Sequence, residues 1–380
     1  MQSRFSTSTL AAVAATLLAA SCSKPTTEPS GTPRQGTVQT SKPHAAAAES
    51  ETYRDFLARM GGEDVLFARL DKPATIGLLG VSKTHEYQLR RDAAARTTAE
   101  KMNVKLLLDH YESDVTTQRT KAEDMAVRGV QVLISTARDD ESFTALADFL
   151  KREKVCLVSE GGTNDKFTRT DLPNYVTYVG VNNYQNGFDG GVWAAGCFQK
   201  NFPDQKPRLA VANYPSNKAT NERATGFIAG FQSIRPELEV QFNGSVGGGG
   251  GRDQLLPFIE DVFTAHNFNI FFGVWDEAAI AGWTAARTRG LTAKDIMILG
   301  YDGTFEVAKL VAEPESLFVA DIAQDPELSG RVTLAIAAKV ATGQWQPEDL
   351  PMFIYIPGMV ITRENARAYL QHADQGGDRP

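Results

Sequence analysis

From Ala74 onward the chain alternates short, wholly apolar runs with longer stretches of helical spacing, and it does so twice. The runs ATIGLLG (74–80), KLLLD (105–109), VQVLIS (130–135) and VCLVS (155–159) are separated by helical segments at 88–102, 117–128 and 142–153. A strand that is apolar at nearly every position is covered on both faces, and such strands separated by helices build a parallel sheet. The pattern then restarts. Helices at 186–199, 221–234, 253–265 and 277–289 alternate with strands at 208–213, 239–243, 270–274 and 296–300. Two successive units of one kind predict an α/β protein with two doubly wound parallel-sheet lobes. In such sheets ligands bind beyond the carboxyl ends of the strands, so two lobes face to face enclose one cleft.

What precedes Ala74 is of a different kind. Arg4 gives a positive start, residues 10–20 an apolar stretch too short to span a bilayer, and small residues lead to Cys22, which together predict a secretory signal over 1–22. Residues 23–50 are rich in Pro, Thr, Ser and Gly with almost no large apolar side chain, so they predict a disordered tether. Extended at roughly 3.1 Å per residue, the tether would reach on the order of 90 Å. Tyr53, Phe56, Leu57, Met60, Leu66, Phe67 and Leu70 give residues 51–73 an amphipathic pattern of one or two helices, and residues 373–380 read as a disordered tail.

The formal charge of −7 is spread along the chain and argues against a nucleic-acid partner. Cys22, Cys156 and Cys197 show no zinc-site spacing, and Cys156 and Cys197, one in each lobe, are expected to be unpaired buried thiols. The glycine run 247–251 is followed by Arg252 and Asp253 rather than by a phosphate-loop Lys-Ser/Thr, so it reads as a strand-to-helix connection. No nucleophile is paired with a base, and no metal or cofactor is implied.

In the second half TAHNFNIFFGVWDEAAIAGWTAA, IMILGYDGTFEVAKLV and VADIAQDPELSGRVTLAI, with NERATGFIAGF and YVGVNNYQNG upstream, resemble the periplasmic sugar-binding proteins of the ribose-binding type. These are the type I substrate-binding proteins of ABC transporters. The resemblance runs from about 75 to 362 and implies a periplasmic-binding-protein-like type I fold with a three-segment hinge, crossed near 179–183, 324–326 and 354–357. The N-terminal lobe is then 74–181 with 325–355, and the C-terminal lobe 182–324 with 356–372. The segment LLAASC (17–22) likewise resembles a bacterial lipobox, with Ala19 where the family usually has Leu, which implies acylation of Cys22.

Residue by residue, the resemblance implies that Arg223 forks onto ligand hydroxyls, that Asp302 accepts from them, and that Gln324 stands at the second hinge. Trp275, just before Asp276, stands where the family carries an amide and could stack on a sugar face, and Asp276 is expected to reach the ligand beside it. Tyr87 and His85 occupy the loop where the family often has Asn-Pro-Phe. Glu160, followed by Gly161, stands where many sugar binders carry Asp-Arg; the arginine has no visible substitute. Each has a plain alternative, from core aromatic to turn carboxylate to surface arginine. The implied function is that of a binding protein, not an enzyme: an exported, lipid-anchored, monomeric clamp for a sugar or polyol. Its partner would be an ABC permease or, alternatively, a membrane histidine kinase or chemoreceptor. The sugar-responsive repressors share this core but begin with a helix-turn-helix, where this chain has a signal and a tether.

Overall fold

The computed structural model describes residues 50–136, 138–162, 169–247 and 251–374. The expected signal with Cys22, the expected tether up to residue 49 and residues 375–380 lie outside them. In chain order the strands are β1 (Ser50–Thr52), β2 (Ala74–Gly80), β3 (Val104–His110), β4 (Val132–Ser135), β5 (Cys156–Glu160), β6 (Tyr175–Gly180) and β7 (Arg208–Asn213). They continue with β8 (Glu239–Ser245), β9 (Ile270–Gly273), β10 (Met297–Asp302), β11 (Phe318–Ala323), β12 (Phe353–Tyr355) and β13 (Met359–Thr362). They form a seven-stranded sheet, ordered β1-β12-β6-β5-β4-β2-β3, and a six-stranded sheet, ordered β13-β11-β10-β9-β7-β8.

Burial follows position in the sheet. Central β4, β6, β9 and β10 are buried at every residue, whereas β3 and β8, each at an edge, are at most half-buried along most of their length. This is the double covering that wholly apolar runs require.

Three times the chain passes from one sheet to the other. After β6 the helix Asn183–Asn201 packs on the second-lobe helix Lys218–Ile234. After β11 the helix Pro326–Ala341 packs on the first-lobe helix Glu86–Met102, and after β12 the chain returns to β13.

Three features depart from the sequence reading. β13 runs antiparallel to β11, with Met359 opposite Ala323, so the second sheet is not wholly parallel. The chain re-enters that sheet at the hinge end of β11 and can only run back along it. β1 falls where tether meets extension, yet Ser50 to Thr52 pair in parallel with Phe353 to Tyr355 and cap the edge of the first sheet. The last helix, Ala366–Asp374, runs into the expected tail.

The extension is built into the first-lobe core. Its helices Tyr53–Met60 and Glu63–Leu66 are joined at Gly61, whose φ of 94° suits glycine. Phe56 and Leu66 are fully buried, each stabilising the lobe by about 1.5–3 kcal/mol, and the Phe56 ring meets Trp345 edge-on at 6.0 Å. Cys156 and Cys197 are free but half-buried rather than buried, and burial pushes both thiols up. Among the described residues no helix is long and apolar enough to cross a membrane.

Candidate functional site between the two sheets

A cavity of about 1010 Å³ lies where the carboxyl ends of the two sheets meet. Nearly every strand end contributes. From the first lobe come the loop after β2 (Val81 to Gln88), Glu112 and Ser113 after β3, Thr136 and Arg138 after β4, and Glu160 at the end of β5. From the second come Tyr214, Asn217, Thr220 and Arg223 after β7, Arg252 to Gln254 after β8, Trp275 and Glu277 after β9, Asp302 ending β10, and Gln324 after β11.

Arg223 projects from the helix Lys218–Ile234, which is held unusually close to its neighbour. A Cβ on Gly187 would stand 2.5 Å from the Arg223 carbonyl oxygen, and one on Gly226 would collide with the Tyr184 carbonyl oxygen. The guanidinium is 4.0 Å over the Tyr301 ring; its Nε donates to Asn183 Oδ1 (2.9 Å) and its Nη1 to Val274 O (3.0 Å) and Asp302 Oδ1 (3.2 Å). Burial would lower its pKa, but the surrounding Tyr301 and Asp302 raise it. Asp302 also accepts from Gln324 Nε2 (2.8 Å), and its φ of 142° is a conformation that L residues rarely adopt. Among the described residues, no hydrogen-bond partner meets Arg223 Nη2 or Asp302 Oδ2; His85 Nε2, across the cleft and itself without a hydrogen bond, is 3.8 Å from the latter.

The opposite wall is organised by Glu160, which is fully buried. Oε1 accepts from the Tyr87 hydroxyl (2.8 Å) and from Ser329 Oγ (3.0 Å), and Oε2 from Thr136 Oγ1 (2.9 Å) and Arg91 Nη1 (3.0 Å). Arg91 is pinned in turn. Its Nε and Nη2 donate to Asp92 Oδ1 (3.0 and 2.6 Å), and Asp92 Oδ2 meets His110 Nε2 at 2.7 Å. Burial would lower the Arg91 pKa, but Glu160 and Asp92 raise it; burial, with Glu160 beside it, pushes the Tyr87 phenol well up.

The profile of the family described as "Periplasmic binding protein domain" matches residues 76–344, most of the chain. The chain belongs to the periplasmic binding protein family. It is 23% identical over 274 residues to the ribose import binding protein of Bacillus subtilis (strain 168), covering 72% of this chain and 83% of that one. Among solved structures it resembles a solute-binding protein of an ABC transporter from Actinobacillus succinogenes with bound D-allose, at 21% identity and a TM-score of 0.67, covering 78% of this chain and 100% of that one. It also resembles the Caulobacter myo-inositol binding protein, at 19% identity and a TM-score of 0.67, covering 81% of this chain and 99% of that one. The fold is thus that of the type I periplasmic binding proteins, a family of binding proteins rather than enzymes.

In this periplasmic binding protein His85, Tyr87, Glu160, Arg223, Trp275, Asp302 and Gln324 are all brought to one cavity. Asp276 is not. It turns beneath the wall, 1% exposed, where Oδ2 accepts from Thr304 N (2.9 Å) and Thr304 Oγ1 (2.6 Å). Its Oδ1 and Asp321 Oδ1 would both crowd one Cβ on Gly300, at 2.5 and 3.2 Å. Burial first, then Asp321 and Asp302, push the Asp276 carboxyl well above the usual range. Arg91 was not singled out in the sequence, although it supplies Glu160 with a guanidinium from the helix Glu86–Met102; its only sign is a polar Arg-Arg-Asp at the head of an Ala-rich helix.

The lobes also touch beside the cavity. Phe305 N donates to Glu86 Oε1 (2.6 Å), Arg90 Nη1 to Gly303 O (2.8 Å), and Arg90 lies 3.7 Å over the Phe305 ring. Asn217 Nδ2 donates to Arg138 O at 2.7 Å. Among the described residues no cluster of His, Cys, Asp or Glu could hold a metal ion.

Proposed function

We propose that this periplasmic binding protein clamps a sugar or sugar-like polyol between its lobes by hinge closure and delivers it to an ABC importer. The observation that carries this reading is the meeting of Arg223 and Asp302, each with an unused hydrogen-bonding position, at a cleft whose two sides are joined by three chain crossings. An arginine fork and a carboxylate side by side suit adjacent hydroxyls, which both donate and accept. Each charge-assisted bond to a neutral hydroxyl contributes about 1.5–3 kcal/mol once water is excluded. Gln324, Trp275, Tyr87 and His85 complete the proposed ligand site, Trp275 offering a flat face, with Glu160 holding the Tyr87 hydroxyl from behind. The relatives with ribose import, D-allose and myo-inositol in their names support this class. Action as a monomer and anchoring through acylated Cys22 belong to the same reading; loss of fatty-acid labelling in Cys22→Ala tests the anchor.

The site is tested by thermal shift with D-ribose, L-arabinose, D-allose and myo-inositol, since a ligand that binds only the folded state raises Tm. A saturable rise is expected with at least one of them, absent in Arg223→Ala and kept in the surface variant Arg128→Ala. No rise with any, or an unchanged rise in Arg223→Ala, rejects the reading.

A further inference from the structure

Glu160 accepts two hydrogen bonds on each carboxylate oxygen, all from this protein, so little of its capacity remains for a ligand. Two of its donors belong to residues that line the cavity, Tyr87 and Thr136. A hydroxyl has one hydrogen and two lone pairs. With the Tyr87 hydrogen directed to Oε1 and the Thr136 hydrogen to Oε2, both hydroxyls turn only lone pairs to whatever else approaches. Among the described residues nothing donates to the Tyr87 oxygen, and Thr136 Oγ1 receives one long contact from Arg91 Nη1 (3.4 Å). Glu160 cannot swing away to reverse this, because Arg91 holds it and is itself clamped by Asp92. Gln88, whose Oε1 accepts from Val81 N (3.2 Å), retains amide donors on the same wall, so the acceptor character is confined to the floor beside Tyr87 and Thr136.

We propose that Glu160, locked by Arg91, is a positioning residue that makes this floor an acceptor-only subsite, selecting ligands that place a hydrogen-bond donor there. A sugar or polyol hydroxyl satisfies it. An ether oxygen, a carbonyl, a carboxylate or a fluorine has no hydrogen to give and would face oxygen lone pairs, with the Glu160 charge behind them. The proposal rests on the cleft being the ligand site and specifies which chemistry one end of the ligand must present.

The experiment compares the parent sugar giving the largest thermal shift, among the four named above, with its monodeoxyfluoro analogues, in which each hydroxyl in turn becomes an acceptor without a hydrogen. Affinities are measured by calorimetry on the full folded chain and on Tyr87→Phe, Thr136→Val and Glu160→Gln. One fluorinated position is expected to bind the unsubstituted protein about 10- to 100-fold more weakly than the parent. In Tyr87→Phe and Glu160→Gln that ratio is expected to fall to about twofold or less, since the subsite no longer demands a donor. A merely structural Glu160 would weaken parent and analogue alike and leave the ratio intact. Tyr87→Phe and Thr136→Val keep the Glu160–Arg91 pair, so they report even if Glu160→Gln does not fold. Tolerance of every analogue, or a ratio unchanged in Tyr87→Phe, overturns the acceptor floor and leaves the clamp standing. Failure of all four parent sugars overturns the clamp and the floor together.

Discussion

On the first-lobe wall of the cleft the central carboxylate, Glu160, is saturated by protein donors, whereas on the second-lobe wall Arg223 and Asp302 share a single 3.2 Å contact and each keeps an unused position. Both walls are equally dry: Arg91 and Glu160 are 1% and 0% exposed, Arg223 and Asp302 6% and 5%. The difference is in what remains to be satisfied. A saturated buried network holds a shape and contributes little new on binding, while an incompletely satisfied one gains its missing bonds when a ligand arrives. The first wall is the template and the second the grip.

The severest way to break this contrast is Arg223→Ala. It removes the donor fork and leaves Asp302 buried with its charge uncompensated, for which a loss of about 3 kcal/mol or more in folding stability is expected, with ligand affinity reduced by about 10- to 100-fold or more. Urea unfolding and calorimetry read the two effects. A stability loss below about 1 kcal/mol would show that Asp302 finds other partners and that the pair is not integral to the wall.

The support behind the grip is tested by two glycines. Ala in place of Gly inside a helix ordinarily stabilises by about 0.5–1 kcal/mol. At Gly226 the new Cβ would strike the Tyr184 carbonyl and crowd the Phe188 nitrogen, backbone atoms that cannot step aside, so Gly226→Ala is expected to destabilise by about 2 kcal/mol and to weaken binding by shifting Arg223. Gly196, in the neighbouring helix, has nothing within 4 Å of its Cβ position, and Gly196→Ala is expected to gain the ordinary increment. Equal effects at the two positions would mean that the helix pair adjusts and does not set the place of Arg223.

Beneath the grip lies Asp276, whose carboxyl is pushed well above the usual carboxylate range by burial first, then by Asp321 and Asp302. A raised folded-state pKa contributes stability that is fully present below the unfolded value and is lost as pH rises through the folded one. Stability is therefore expected to decline above about pH 4 on this group's account. Asp276→Asn keeps an oxygen for Thr304 and removes the ionisation, so it is expected to stabilise by about 1 kcal/mol at neutral pH and to flatten that decline, as read by unfolding across pH. An unchanged pH profile would place the proton elsewhere.

Most strands and helices up to residue 300 were legible because burial on two faces leaves apolar runs, and the cleft followed from where parallel strands end; β6, β11 and the helices Phe305–Ala312 and Pro326–Ala341 lie in segments read only through the family resemblance. Strands such as β1, β12 and β13 were not legible, since three or four residues carry no periodicity and their pairing is set by neighbours distant in sequence. Within the site the errors are of one residue. Trp275 and Glu277 line the cavity while Asp276 between them points under it, and Arg91 reads like its neighbour Arg90 although one organises the floor and the other reaches the second lobe. Adjacent helical positions point about 100° apart, so a motif finds the right turn before it finds the right side chain.

The smallest expected effect concerns the contact that joins the walls. Glu86, on the first lobe, accepts from Phe305 N at 2.6 Å, the first residue of the second-lobe helix Phe305–Ala312, whose cap residue Thr304 accepts from Val307 N instead. The carboxylate thus answers an orphan donor and the positive end of a helix dipole, a contribution of about 0.5 kcal/mol. Opening the lobes would break it, so the bond biases the ligand-free protein toward the closed form without touching the ligand. Glu86→Gln keeps an acceptor and removes the charge. Because apparent affinity scales with the closed fraction, binding is expected to weaken by about two- to threefold, with a small rise in the radius of gyration of the ligand-free protein by X-ray scattering. Unchanged scattering together with unchanged affinity would mean that the contact survives opening, which would place it on the hinge side of the motion rather than across it.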